Sequence, residues 1–461
     1  MSNIFYSKFS EVSGDRLDPT YYANLGLYKG LDRLKTIVKV KGGKRIPKGK
    51  TFSNETTKYK YLRVEDIDAF GNINISKLKN ISKEIYEELK RYKLNENEIV
   101  ISNAGTIGKV TMLEKFDEKI ILTENCVKLV IHDNQILPKF LETMVRSNFI
   151  QTQFQNNYIK TTIPKLSVER ISNTFFPKIP SFEIQNKIVS KMEQAHHQKR
   201  QKEQEAQKKL ESIDAYLLDA LGIELPTERE ESLEDRVFVR RFSEVSGKRN
   251  DAYYFKQNFI TLLETVKKSK YKIETFGQLI KDLKNGIEVR KYIENDGMRY
   301  LRVTDLGKNG INNKSPRFVA KQEIPKRIKL NSNCILISRS GSLGLVNVVE
   351  KSIENAILSS HIFKVELKSN ILPLYIEAYL RSTIGQTEIF RNNNGGVIPE
   401  INQTALKSIF IVLPPLEEQT KIANHIQKLR EEAQALKKEA TEIYNSAKLE
   451  VEKMILGKIN D

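Results

Sequence analysis

The chain has 461 residues, 76 of them Lys or Arg against 58 Asp or Glu, a formal net charge of +18 and an apolar fraction of 39%. That length is too great for one hydrophobic core and suits two domains with connectors. No stretch approaches the length of a membrane span, and the opening Met1-Ser2-Asn3-Ile4-Phe5-Tyr6-Ser7-Lys8 has no apolar core of signal-peptide size. The cationic excess favours a polyanion bound through phosphate neutralisation; an ordinary solvated basic surface is the plainer alternative.

Taken in chain order, the elements occur twice. Phe9-Ser10-Glu11-Val12-Ser13-Gly14 returns unchanged as Phe242-Ser243-Glu244-Val245-Ser246-Gly247. A run of six cations in twelve residues, Lys39 to Lys50, contains Gly42, Gly43, Pro47 and Gly49 and reads as a loop. Tyr61-Leu62-Arg63-Val64-Glu65-Asp66 returns as Tyr300-Leu301-Arg302-Val303-Thr304-Asp305. Strands are expected at 98–102, 120–123 and 126–131, and again at 334–338 and 361–365. Ser102-Asn103-Ala104-Gly105-Thr106-Ile107-Gly108 returns as Ser338-Arg339-Ser340-Gly341-Ser342-Leu343-Gly344, at nearly the same shift along the chain. Leu137-Pro138 and Leu372-Pro373 open short amphipathic helices, since proline suits a first helical turn.

Each mixed α/β body, 1–180 and 237–414, is followed by a long helical tail. After Pro414-Pro415, apolar residues recur every three or four positions at Ile422, Ile426, Leu429, Ala433, Leu436, Ala440, Ile443, Ala447, Val451 and Met454. That is a heptad seam for packing along another helix. The tail at 181–222 shows a weaker seam, Ile188, Met192, Ala195, Ala206, Leu210, Ile213 and Leu217, with Lys199 and Lys202 interrupting it. Each helix would be about 55–65 Å long. A linker at 223–236 and the helical region at 415–461 complete the division. The fold class is therefore tandemly duplicated α/β bodies separated by two long antiparallel coiled-coil helices.

Catalytic chemistry finds little support. Ala104-Gly105-Thr106-Ile107-Gly108-Lys109 resembles the end of a phosphate-binding loop, but Asn103 and Val110 stand where that loop needs Gly and a hydroxyl, so a tight turn beside a strand is expected. The five histidines and two cysteines have no metal-ligand spacing; His196 and His197 read as surface residues, and Cys126 and Cys334 as buried free thiols of a reducing compartment.

The polar loops carry more. Lys41, Lys44, Arg45, Lys48 and Lys50 suit phosphate oxygens, and Arg45 could also grip a guanine edge. Arg290 and Lys291 lie in the corresponding, less basic stretch of the second copy. Lys160, Thr161, Thr162 and Lys165 form a second polar loop, matched by Arg391, Asn392, Asn393 and Asn394, whose amides suit base edges. Framework segments repeat closely while these loops diverge, as expected of one scaffold reading two different sequences.

This layout resembles the specificity subunits of type I restriction-modification systems along the whole chain. The carrying residues are Gly42 to Gly49, Tyr61 to Ile67, Arg302 and Asp305, the two Ser-x-x-Gly-x-x-Gly turns, and Leu413-Pro414-Pro415-Leu416-Glu417-Glu418-Gln419-Thr420-Lys421-Ile422-Ala423. The first copy keeps Pro180, Glu183, Gln185, Lys187 and Ile188 of that last motif but alters its surroundings, which makes the start of its helix less certain. The resemblance implies a cytoplasmic, prokaryotic, non-catalytic subunit whose two target-recognition domains each read half of a bipartite, asymmetric site on double-stranded DNA, with Arg63 and Arg302 in the recognition motif. It implies that the helices, through Ile188, Met192, Leu217, Ile422, Ile426, Leu429, Leu436 and Ile443, set the spacer and dock two methyltransferase subunits. No cofactor or metal is expected on this chain: the methyltransferases would bring S-adenosylmethionine, and two motor-nuclease subunits that can join would use ATP and Mg. Two other classes fit the same layout: a stand-alone two-headed DNA-binding protein, and an adaptor whose basic charge is incidental.

Overall fold

The computed structural model describes residues 30–68, 70–158, 164–226, 251–294, 296–307, 310–313, 315–320 and 328–456, with isolated positions besides. The chain divides into two compact units, one of residues 1–201 with 439–461 and one of residues 202–438. Each long helical tail therefore contributes to both units, where the sequence reading set the tails apart as regions of their own.

In the first unit the strands are β1 (Asp32–Arg33), β2 (Val38–Gly42), β3 (Tyr59–Leu62), β4 (Lys79–Asn80), β5 (Ile99–Ser102), β6 (Val110–Met112), β7 (Lys119–Leu122), β8 (Cys126–Ile131) and β9 (Phe175–Phe176). The main sheet has the order β2-β8-β5-β6 and is antiparallel throughout. A smaller sheet, β4-β3-β7, pairs β3 and β7 in parallel. Helices α1 (Lys83–Leu89), α2 (Pro138–Val145), α3 (Asn148–Asn157) and α4 (Val168–Ser172) complete the body, and α5 (Phe182–Leu221) begins directly after it. Pro138 occupies the first turn of α2, as its preset φ and missing N–H favour.

The second unit repeats this plan. Its elements are α6 (Gln257–Val266), β10 (Lys272–Thr275), α7 (Phe276–Leu279), β11 (Ile280–Asn285), β12 (Met298–Leu301), β13 (Leu306–Gly307), β14 (Gly310–Ile311), β15 (Arg317–Val319), β16 (Cys334–Ser338), β17 (Val346–Val348), β18 (Ile357–Leu358), β19 (Ile362–Leu367), α8 (Pro373–Arg381), α9 (Thr383–Arg391), α10 (Gln403–Lys407), β20 (Phe410–Leu413) and α11 (Leu416–Leu456). The order β11-β19-β16-β17 matches that of the first main sheet, and β12 pairs β18 in parallel as β3 pairs β7. The mixed α/β duplication expected from the sequence is the observed architecture.

Two expectations needed correction at this level. The basic run does not begin as a loop. Val38, Val40 and the outward Lys39 and Lys41 alternate on β2, which pairs with β8, and the loop starts only at Gly43. The second polar loop is likewise shorter than expected, because α9 runs to Arg391.

The long helices pack antiparallel to each other within each unit. In the first, His196 on α5 lies against Tyr444 on α11 with ring centroids 4.8 Å apart, and Lys191 pairs with Glu450. In the second, Tyr216 stacks on His425 at 3.9 Å and Lys209 pairs with Glu432 at 2.6 Å. Alanines line the seam: Ala195, Ala206, Ala433, Ala440 and Ala447 are all buried. Lys199 does not break this packing. Its ammonium lies 3.5 Å from the ring centre of Phe70, an arrangement that keeps the charge partnered while its stem is buried.

The helices also serve the cores of the bodies. Ile188 and Met192 join the first core with Phe140, Leu141 and Phe154, while Leu217, Ile422 and Ile426 join the second with Phe363, Tyr375 and Tyr379. Of the side chains expected to meet a partner, these five are buried in the cores, and Leu429, Leu436 and Ile443 are half-buried. An apolar seam residue pays off most against the neighbouring helix and sheet of its own chain. Among the described residues no helix is long and apolar enough to cross a membrane, and no group of His, Cys, Asp and Glu could hold a metal ion.

Candidate nucleic-acid interface

The same pins hold the base of the loop that follows β2 and β11 in both units. Gly43 donates its N–H to Cys126 O at 3.0 Å, and Gly286 donates to Ile362 O at 3.0 Å. A Cβ on Gly43 would lie 2.0 Å from Thr123 O, and one on Gly286 2.2 Å from Leu358 O, so only glycine lets the two backbones approach this closely. One residue on, the Tyr61 hydroxyl donates to Lys44 O at 2.8 Å and the Tyr300 hydroxyl to Ile287 O at 3.0 Å.

The repeated Arg-x-x-Asp is a second pin. The Arg63 fork donates to both carboxylate oxygens of Asp66, at 3.1 and 2.8 Å, while the Arg63 backbone N–H donates to Asp66 at 2.8 Å. Arg302 and Asp305 do the same at 3.2, 3.0 and 2.8 Å. These guanidinium groups close a box around a short helical turn, and Arg63 also pairs with Glu65. Hydrogen bonding to the aspartate raises the pKa of each arginine.

The Ser-x-x-Gly-x-x-Gly segment is the expected tight turn. Ser102 Oγ donates to Thr106 O and accepts from Lys109 N, and Ser338 Oγ repeats both bonds with Ser342 and Leu345. Gly105 and Gly108 have φ of 73° and 87°, and Gly341 and Gly344 have 80° and 83°, a region that glycine enters freely. Lys109 binds the carbonyls of Val64 and Ile67, so its ammonium braces the turn.

These pins converge on a cleft of about 760 Å³ in the first unit. Arg45, Lys50 and Arg63 line it, joined by Phe52, Thr106, Glu124 and Asn125. The last four escaped the sequence reading. Phe52 is 38% exposed and packs against Tyr61 with centroids 5.7 Å apart; a lone aromatic in a basic, polar stretch was its only signal. Arg45 Nε donates to Glu124 Oε1 at 2.5 Å, and Thr123 Oγ1 donates to Glu124 Oε2 at 2.9 Å. Burial pushes the Glu124 carboxyl up, but hydrogen bonds from Arg45, its own N–H and Thr123 outweigh that and hold it below the usual range. Lys50 pairs with Glu88 at 2.6 Å.

The remaining candidates separate clearly. Lys41, Lys44, Lys48 and Lys165 are exposed, the last where it bridges Ala104 at the turn. Lys160, Thr161 and Thr162 lie outside the described residues. Arg290 is exposed and pairs with Glu288 at 3.2 Å, and Lys291 is exposed beside it. Arg391 and Asn392 are corrections, because both are buried. Arg391 pairs with Glu388 at 3.2 Å and lies 3.8 Å from the ring centre of Tyr254, and Asn392 donates to Glu388 O at 2.9 Å. They anchor the turn that follows α9. Asn393 Oδ1 accepts from Gly395 and Glu400 N–H groups and shapes that turn, while Asn394 is exposed.

His196 is also a correction. It is half-buried beside Tyr444 in a separate cavity of about 450 Å³, and burial together with Arg146, Lys199 and Arg200 lowers its pKa to about 4. The cysteines are free and buried, and burial pushes the Cys126 thiol up to about 12.

The scaffold is duplicated, with repeated pins and divergent, cation-bearing loops. The family described as type I restriction modification DNA specificity domain matches residues 31–232 and 284–444, and the chain belongs to that family. Similar proteins include the specificity subunit of the Escherichia coli type I restriction enzyme EcoBI, 26% identical over 148 residues, and that of EcoKI from Escherichia coli strain K12, 24% identical over 180 residues. These matches cover 31% and 37% of this chain and 31% and 38% of the relatives, so each spans about a third of the relative's length. Among solved structures, the type I S subunit of M. genitalium has a TM-score of 0.40 at 15% identity, over 93% of this chain and 97% of the other. The HsdS subunit of Thermoanaerobacter tengcongensis has 0.35 at 16%, over 92% and 96%.

Proposed function

We propose that this chain is the non-catalytic specificity subunit of a type I restriction-modification assembly, acting on double-stranded DNA in the prokaryotic cytoplasm. The observation that carries the proposal is the repetition of the loop pins with different residues beyond them. Lys44 and Ile287 are pinned by equivalent tyrosines, and the residues that follow are Arg45 in one unit and Glu288 in the other. One framework thus presents two different polar faces. Each face reads one half of an asymmetric bipartite site, with lysines positioning the phosphates and cleft residues reading base edges.

In this reading the long helices set the spacer and dock two methyltransferase subunits, which bring S-adenosylmethionine; two motor-nuclease subunits, using ATP and Mg, complete the restriction form. Because five of the eight seam residues are buried and three are half-buried, docking falls mainly to the outward faces of α5 and α11. The deciding experiment is methylome sequencing of a methylation-free host that co-expresses this chain with its methyltransferase. The expected result is a bipartite motif methylated on both strands and absent without this chain. New methylation that is independent of the chain, or none at all with both proteins well expressed, rejects the proposal.

A further inference from the structure

Arg45 and Glu124 stand together at the edge of the first unit's cleft, with side chains 79% and 28% exposed. We infer that this pair reads a single G·C base pair, Arg45 on guanine and Glu124 on the amino group of the paired cytosine. The inference rests on the DNA-reading proposal above and names what one position of that face distinguishes.

The geometry suits this use. Glu124 is the fixed member, held by Thr123 Oγ1 at 2.9 Å and near the Tyr61 hydroxyl at 3.5 Å. Arg45 binds it through Nε, and the two terminal nitrogens carry no hydrogen bond to the described residues. Those nitrogens can therefore engage guanine O6 and N7 end-on while Nε stays on the carboxylate. The carboxylate, an acceptor only, then lies beside the guanidinium where cytosine presents its N4 donor.

The same pair rejects A·T twice. The guanidinium would meet the adenine amino group, donor against donor, and the carboxylate would meet thymine O4, acceptor against acceptor. Neither clash can be relieved by exchanging partners, because the two side chains are bonded to each other. The second unit lacks the arrangement. Thr123 and Ser359 donate their N–H groups to the equivalent carbonyls of Leu62 and Leu301, which places Ser360 where Glu124 stands, and Glu288 occupies the place of Arg45. The discrimination therefore belongs to one half-site only.

The competing account is a surface ion pair that steadies the loop without reading anything, which is common for exposed pairs. Methylome sequencing of hosts expressing the wild type, Arg45→Gln or Glu124→Gln with the methyltransferase separates the two. The wild-type motif should contain a G·C pair in one half-site at which Arg45→Gln admits A·T, since glutamine suits adenine, with discrimination falling roughly ten- to a hundredfold. Glu124→Gln should relax the same position, and the other half-site should not change. Arg45 is exposed, so its variant keeps the fold even if Glu124→Gln accumulates poorly. Variants that write the wild-type motif with undiminished stringency overturn the inference and leave the specificity function standing. A wild type that writes no motif overturns both.

Discussion

The side-chain oxygen of Gln185 accepts the backbone N–H of Leu137 at 2.8 Å, while its amide donates to Pro180 O at 2.9 Å. Gln419 repeats this in the second unit, accepting from Leu372 N at 3.0 Å and donating to Pro414 O at 2.9 Å. One buried amide thus ties the start of a long helix to the start of the short helix that packs on the body. It gives one structural role to the proline and glutamine that both copies of the motif share.

Replacing Gln185 or Gln419 with Ala should leave a helix-start N–H without its partner. Each change should lower the stability of its own unit by about 1–3 kcal/mol, the usual cost of a stranded buried donor. Urea titration with hydrogen exchange at Leu137 and Leu372 would check this, and unchanged protection at both would refute it.

Glu98 and Lys128 form an ion pair at 2.7 Å with both side chains nearly buried, and Lys128 also donates to Lys93 O at 2.5 Å. Glu98→Ala should strand the ammonium and cost about 3–5 kcal/mol, whereas the double change Glu98→Leu with Lys128→Met should recover most of the loss. Equal destabilisation of the single and double variants would show that the charge is not the cause.

Gly43→Ala forces a methyl group onto two carbonyl oxygens. The expected loss is about 1–3 kcal/mol, with the loop displaced. Gly105→Ala meets no atom within 4 Å but sits at φ 73°, so its cost should be the smaller conformational one of about 1–2 kcal/mol. Chemical denaturation of both variants checks the order.

His196 has a folded-state pKa of about 4, lowered by burial and by Arg146, Lys199 and Arg200, against about 6.5 for an unfolded histidine. Between these values the unfolded state binds more protons. The contribution to stability is therefore present above about pH 6.5 and is lost as pH falls toward 4. The imidazole resonances of His196 should titrate near pH 4, and His196→Phe should flatten the fall in melting temperature across that window.

Lys44 and Lys48 are exposed on the loop beyond Gly43. Changing both to Ala should weaken DNA binding about equally for all sequences and flatten the salt dependence by about one unit of log–log slope for each lost phosphate contact. Binding titrations at several salt concentrations would show it, and an unaltered slope would remove these lysines from the interface.

Much of the framework was legible because it is periodic or repeated. The apolar, β-branched runs of β5 and β8, the seam of α11 and the proline starts of α2 and α8 depend on near neighbours in the chain, and duplication marked Tyr61, Arg63 and Ser102 as special. What they do was not legible. Arg63 and Arg391 look like nucleic-acid contacts by residue type, yet one closes on Asp66 and the other is buried against Tyr254 and Glu388. Charge reveals a residue's chemistry but not the partner that satisfies it.

By itself the sequence determined the duplication, the mixed α/β bodies, the two long helices and the basic character of the loops, since each follows from local periodicity, recurrence or composition. Only the tertiary structure decided which side chains face outward. It brought Glu124, 79 residues further along the chain, to Arg45, placed Phe52 on Tyr61, and drew Ile188, Leu217 and Ile422 into the cores. Those outcomes depend on strand register and helix docking between segments tens of residues apart, which no local pattern encodes.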